Sequence, residues 1–266
     1  MGGPTWSLGE REEATRRFLE QELKDHLELT LDAFNLAGEV MNTMPAHPVA
    51  GGSQSLKVVT VLLAKLSNDL RSSALLAVQG YPVQALTVVA AMYETAYTIA
   101  FIGSDEQLAQ QWIDHGHRTR PFRPAKTLTK DGLRRLGCPD CQVARQSKVE
   151  YRVYSQLCMA KHGNPLFQKQ HGYALEDGQV TVSNGPTRSD ESIRGSWFAL
   201  EHAAALTFVG IASYVRDHLS GAGLPVKTIG QLAERIQDIG VRRKRLEARA
   251  QSRWGTTDPF PGKWSP

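Results

Sequence analysis

The chain has 266 residues, 41% of them hydrophobic and 22% charged, which are values of a globular protein able to bury a sizeable core. Its net charge of +4 and pI near 9.0 are mildly basic and do not by themselves mark a nucleic-acid binder. Three cysteines are too few for a disulfide framework, and the N-terminus lacks a basic start followed by an apolar core, so the expectation is a reducing, cytoplasmic setting.

Taken in order, residues 1–7 read as loose. Over 8–44 the stripe Leu19, Leu23, Leu27, Phe34, Ala37 and Met41 predicts one long amphipathic helix. Residues 45–55, with two prolines and two glycines, read as a loop. A helical hairpin follows, and it organises the chain. Its first helix carries apolar residues at Val59, Leu62, Leu63, Leu66, Leu70, Ala74 and Ala77. Gly80 can end that helix in the left-handed conformation, and Pro82 can open the next. The second helix, to Ile102, is apolar or small on nearly every side, as buried or membrane helices are. Burial is the reading here, with no membrane span, because Glu94 and several threonines interrupt the run and no second run looks comparable.

Glu94 then reads as a buried carboxylate in need of a partner. If the chain reverses near Tyr81, Glu94 faces Asn68, and the Arg71 side chain spans the remaining offset. A structural ion pair and the polar floor of a pocket are both consistent with that geometry.

Further on, Ser104 and Asp105 can cap a helix containing Leu108, Trp112 and Ile113, and a basic connector with two prolines follows it. Residues 131–136 suit a short helix. A longer helix over 142–162 stops at Gly163-Asn164-Pro165. Residues 173–182, with Asp177-Gly178 at the centre, read as a small β-hairpin. Asp190 can cap a helix over 191–219, and a final helix over 226–251 begins amphipathic and turns basic. Residues 252–266 read as an irregular tail. The sum is one all-α domain over 1–251, a bundle of six or seven helices with a β-hairpin insert. Its long apolar faces suggest a homodimer.

Three groups of residues carry candidate chemistry. Tyr151, Ser155, Cys158 and His162 fall on one helix face, which places a phenol, a hydroxyl, a thiol and an imidazole together. His162 serves either as a C-terminal helix residue favoured by the dipole or as a general acid/base oriented by Tyr151 and Ser155. Cys138-x-x-Cys141 has zinc-ligand spacing, and His115-x-His117 would complete a tetrahedral set. Arg242, Arg243, Lys244 and Arg245 form either a solvated helix end or a phosphate-binding surface for nucleic acid. There is no nucleotide-binding glycine loop, no nucleophile elbow and no Glu-x-x-His pair.

Arg71, a Gly turn, Glu94, then Tyr151-x-x-x-Ser155 on a helix ending in His162 before a small hairpin resembles a family of uncharacterised helical bacterial proteins. The resemblance covers roughly residues 50–215. It implies a helical fold and a site at Arg71, Glu94, Tyr151, Ser155 and His162, with no established activity. That family often has an Arg shortly before the Glu, where this chain has Ala90 and Ala91. Such bundles are also distantly similar to helical toxin and antiphage RNases, whose Arg and His are four to six residues apart. Here Arg152 and His162, and Arg194 and His202, are spaced more widely. Three functions follow: a polar inter-helix pocket for a small or nucleotide-like ligand, a non-enzymatic defence-type component that contacts nucleic acid or a partner protein through the basic helix, and a structural zinc protein.

Overall fold

The computed structural model describes residues 8–43, 52–116, 121–164, 173–176, 179–182, 185–220, 222 and 224–255 of the chain. Among these there are nine α-helices: α1 (Leu8–Glu22), α2 (Lys24–Thr43), α3 (Gln54–Val78), α4 (Pro82–Ile102), α5 (Glu106–Asp114), α6 (Ala125–Arg135), α7 (Asp140–Lys161), α8 (Asp190–Tyr214) and α9 (Val226–Trp254). The architecture is all-α, with more helices than the six or seven expected. One reason is that the long first helix is broken at Leu23. The strongly charged α1 packs against the end of α3, where Glu12 accepts a hydrogen bond from the Tyr81 hydroxyl at 2.7 Å, whereas α2 packs along α3, α8 and α9. The bend at Leu23 lets the chain follow both.

The centre is a three-helix layer of α3, α4 and α8, each packed against the other two. The α3–α4 turn forms as its sequence indicates: Gly80 has φ 85°, and Pro82 is the first residue of α4. The start of α3 is capped twice. Ser53 Oγ accepts from the Leu56 N–H at 3.2 Å, and Glu106 at the start of α5 accepts from the Gln54 N–H at 2.8 Å and the Ser55 N–H at 3.2 Å. Helices α6 and α7 cover the far side of α4, α2 lies along α8, and α9 packs mainly on α2. One continuous apolar cluster runs through all of them, from Leu19 to Ala250. Where α8 meets α3 and α4 the backbones approach closely: a Cβ on Gly210 would stand 2.7 Å from Leu66 Cδ2 and 3.4 Å from Ile99 Cδ1.

Among the described residues, two segments are long and apolar enough to cross a membrane by length and composition: Pro82–Ile102 and Asp190–Leu219. The second corrects the expectation that no other run is comparable to the first. In each, 72% of the apolar window is buried inside the fold, where both serve as core helices. Helix α8 does not end at Tyr214 but widens into a π-helical turn, Val215–Leu219. Strands Tyr173–Glu176 and Gln179–Val182 pair antiparallel, with Tyr173 opposite Val182. Residues 177 and 178 between them lie outside the described residues.

The last helix, α9, is tied to α2 by a regular set of ion pairs. Arg249 meets Asp25, Arg242 meets Asp32 at 2.5 Å, and Arg235 meets Glu39. The acidic positions climb by seven while the basic ones fall by seven, so the two helices run antiparallel with one face of each in steady register. Arg253 extends the series to Glu22 at 3.0 Å.

Candidate functional site

A cavity of about 590 Å³ opens between α4, α7, α8 and α9. Tyr93 and Tyr97 from α4, Glu150 from α7, Trp197, Glu201 and His202 from α8, and Arg243 from α9 are among the residues that line it. Each helix contributes for a local reason. Helix α8 is apolar on nearly every side, so its one Glu-His pair is carried into the interior with the rest of the helix. Arg243 lies on the flank of α9 beside Leu246 and Ala250, which bury against the core, so its long stem can reach inward.

Glu201 is only 3% exposed. Its Oε1 accepts from Arg243 Nε at 2.5 Å, while its Oε2 is buried without a hydrogen-bond partner. Burial pushes the carboxyl pKa up, and the guanidinium works against that. Burial likewise disfavours the Arg243 charge, but Glu201 more than offsets it and holds the group above its ordinary value. His202 donates from Nδ1 to the Phe198 carbonyl oxygen at 3.0 Å, and its ring lies over the Phe198 ring at 4.0 Å. A carbonyl only accepts, so the proton sits on Nδ1 and Nε2 carries a lone pair. Burial, helped by the nearby Arg243 charge, lowers the His202 pKa to about 3. The imidazole is therefore neutral at ordinary pH, and its Nε2 can accept a hydrogen bond while the ring resists protonation. Burial and then the Glu150 carboxylate keep the Tyr97 phenol well above the ordinary range. The Tyr93 hydroxyl is 2.7 Å from Thr129 Oγ1.

The residues singled out in the sequence lie mostly elsewhere. Glu94 is half-buried rather than buried, and its partners are on α7: it accepts from the Tyr154 hydroxyl at 2.7 Å and stands 3.9 Å from Lys161 Nζ. Arg71 is exposed on α3. The Arg71–Glu94 pair fails because α4 turns Glu94 toward α7. Tyr151 and Ser155 are exposed, and the Ser155 hydroxyl donates to the Tyr151 carbonyl of its own helix at 2.8 Å. His162 is the exposed C-cap of α7. Ser155, Cys158 and His162 do share a wall of one open cleft at that helix end. Burial raises the Cys158 thiol pKa, so it is not poised as a nucleophile.

Of the zinc set, His115 packs edge-on against Phe122 at 5.6 Å, Cys138 is partly buried against the core and Cys141 is exposed. His117 lies outside the described residues. Among the described residues, no group of three or more His, Cys, Asp or Glu side chains is gathered to hold a metal. Of the basic run, Arg242 and Arg243 are engaged within the fold by Asp32 and Glu201, while Lys244 and Arg245 are exposed.

Glu201 and His202 were missed as a site, although Glu201 carried the signal already applied to Glu94: a charged residue inside an apolar helix. The sequence shows the charge of Arg243 but not its inward reach to Glu201. No family model, no curated protein and no solved structure matches this chain.

Proposed function

We propose that the protein binds a small, planar, hydrogen-bond-donating ligand, of which a nucleobase is the natural example, in the cavity between α4, α7, α8 and α9. The observation that carries this reading is the Glu201 Oε2 atom, which is buried in the cavity wall without a donor. An unsatisfied buried acceptor costs about 1–3 kcal/mol, more when it is charged, and a ligand N–H would recover that energy. His202 Nε2 adds a second acceptor. Tyr93, Tyr97, Trp197 and Phe198 offer aromatic surface on which a flat ring can stack. With His202 held neutral, a bound ligand would meet a hydrogen-bond acceptor that resists protonation, which suits binding rather than base catalysis.

The test is isothermal titration of the purified protein with adenosine, guanosine and cytidine, alongside native mass spectrometry for a co-purified ligand. We expect saturable binding of at least one nucleoside, weakened tenfold or more by Glu201→Met in a protein that keeps its helical circular dichroism. Absence of binding tighter than about 1 mM for all three, with no co-purified small molecule, would overturn the reading.

A further inference from the structure

A second cavity, of about 320 Å³, lies between the α1–α2 bend, α8 and the last turns of α9. Trp197 lines it as well as the first. Its other walls include His26 and Trp254. The three rings form one cluster: His26 meets Trp197 edge-on at 6.1 Å, and Trp197 meets Trp254 at 5.3 Å. Each of the three has a buried ring nitrogen with no hydrogen-bond partner, namely His26 Nε2, Trp197 Nε1 and Trp254 Nε1. Trp197 is 1% exposed.

Indole N–H groups are donors only, so two of these three atoms call for an acceptor. Native proteins leave few buried polar atoms unpaired, and here three belong to side chains that line one cavity, Trp197 lining the first cavity as well. The surroundings say what kind of occupant suits them. Arg249 and Arg253 stand at the edge, the latter with its guanidinium 5.0 Å from the Trp254 ring centroid, and Lys24 is nearby. Arg249 and Arg253 are ion-paired with Asp25 and Glu22. Leu23, Leu246 and Ala250 make the rest of the wall apolar. A doubly charged, fully hydrated anion would lose its water against that wall, whereas a monoanion with a hydrocarbon body fits both halves.

We propose that this cavity binds a small monocarboxylate, with its oxygens accepting from the Trp197 and Trp254 indole N–H groups and its hydrocarbon part against Leu23, Leu246 and Ala250. His26 would join as a third donor in the tautomer or charge state that puts a proton on Nε2. Burial lowers its pKa to about 4, with Asp25 opposing the effect and Arg249 adding to it.

The experiment is a titration of the full chain with benzoate and with butyrate, read by the indole N–H signals in a proton–nitrogen correlation spectrum. The Trp254 and Trp197 signals should shift saturably, while Trp112, which lines neither cavity, stays in place. Trp254 lines only this second cavity, so its signal separates the two sites. Trp254→Phe, which keeps the ring and removes the donor, should weaken binding about tenfold. The proposal is overturned if neither carboxylate shifts the Trp254 signal saturably, as expected where the cavity holds only water. It is overturned equally if inorganic phosphate shifts that signal as strongly, or if Trp254→Phe binds as the parent does.

Discussion

Arg243, near the middle of α9, reaches Glu201, near the middle of α8, and their contact of 2.5 Å holds a carboxylate that is 3% exposed. The pair joins two helices that otherwise touch little. It also leaves one Glu201 oxygen for the cavity. The two partners are not equivalent, because the Arg243 side chain keeps 38% of its surface in solvent.

That asymmetry makes the first prediction. Arg243→Ala strands a buried carboxylate and should cost about 3 kcal/mol, at the lower end for broken buried pairs. Glu201→Met leaves an arginine that can turn to water, and should cost roughly 1 kcal/mol or less. Urea unfolding of the two variants decides it. Equal losses would mean that Glu201 is already neutral.

The ladder between α2 and α9 makes the second. Its pairs, Asp25–Arg249, Asp32–Arg242 and Glu39–Arg235, are partly or largely exposed, so each is worth about 0.2–1 kcal/mol. Replacing all three arginines by Ala should lower stability by about 1–2 kcal/mol at low salt, and by clearly less at about 1 M salt, where the Debye length is roughly 3 Å. Because the register is regular, swapping Asp32 and Arg242 for each other should recover most of the loss seen in either single replacement. Thermal melts at two ionic strengths read both effects.

Third, stability should fall with acid, starting near pH 6.5. His202 and His26 have folded pKa values lowered to about 3 and about 4, and burial lowers His218 as well. Between the ordinary histidine value and these, the unfolded chain binds protons that the folded chain refuses. The stabilisation is complete above pH 6.5 and is lost as pH falls toward 4 and then 3. Each pKa unit of that gap is worth about 1.4 kcal/mol. Glu201 works the other way, since its raised pKa favours the folded state on protonation. Urea midpoints at several pH values between about 7.5 and 5 should decline, and His202→Asn should flatten the decline.

Fourth, Gly210→Ala should destabilise despite the better helix propensity of Ala, which is worth about 1 kcal/mol. The new methyl would meet Leu66 Cδ2 at 2.7 Å and Leu63 Cδ1 at 3.3 Å in the packed centre of the bundle. Overpacking of this kind costs about 1–3 kcal/mol. Adding Leu66→Val should restore part of the loss. A stabilised single variant would show that α3 and α8 can separate freely.

Much of the helix pattern was legible in the chain itself. The apolar spacing through Val59, Leu63, Leu66 and Leu70 is a local property, and so is the Gly80–Pro82 turn, because both depend on backbone sterics and on neighbours within a few residues. The all-α class follows from such features. The site did not follow. Glu94 met Tyr154, 60 positions away, instead of Arg71. Arg242 and Arg243 met Asp32 and Glu201, 210 and 42 positions away, instead of solvent. A charged side chain on a helix declares that it needs a partner or water. Which one it finds depends on how far each helix is rotated and slid against its neighbours. That choice is made by the packing of the whole apolar cluster, where Gly210 against Leu66 and the bend at Leu23 count for as much as any charge.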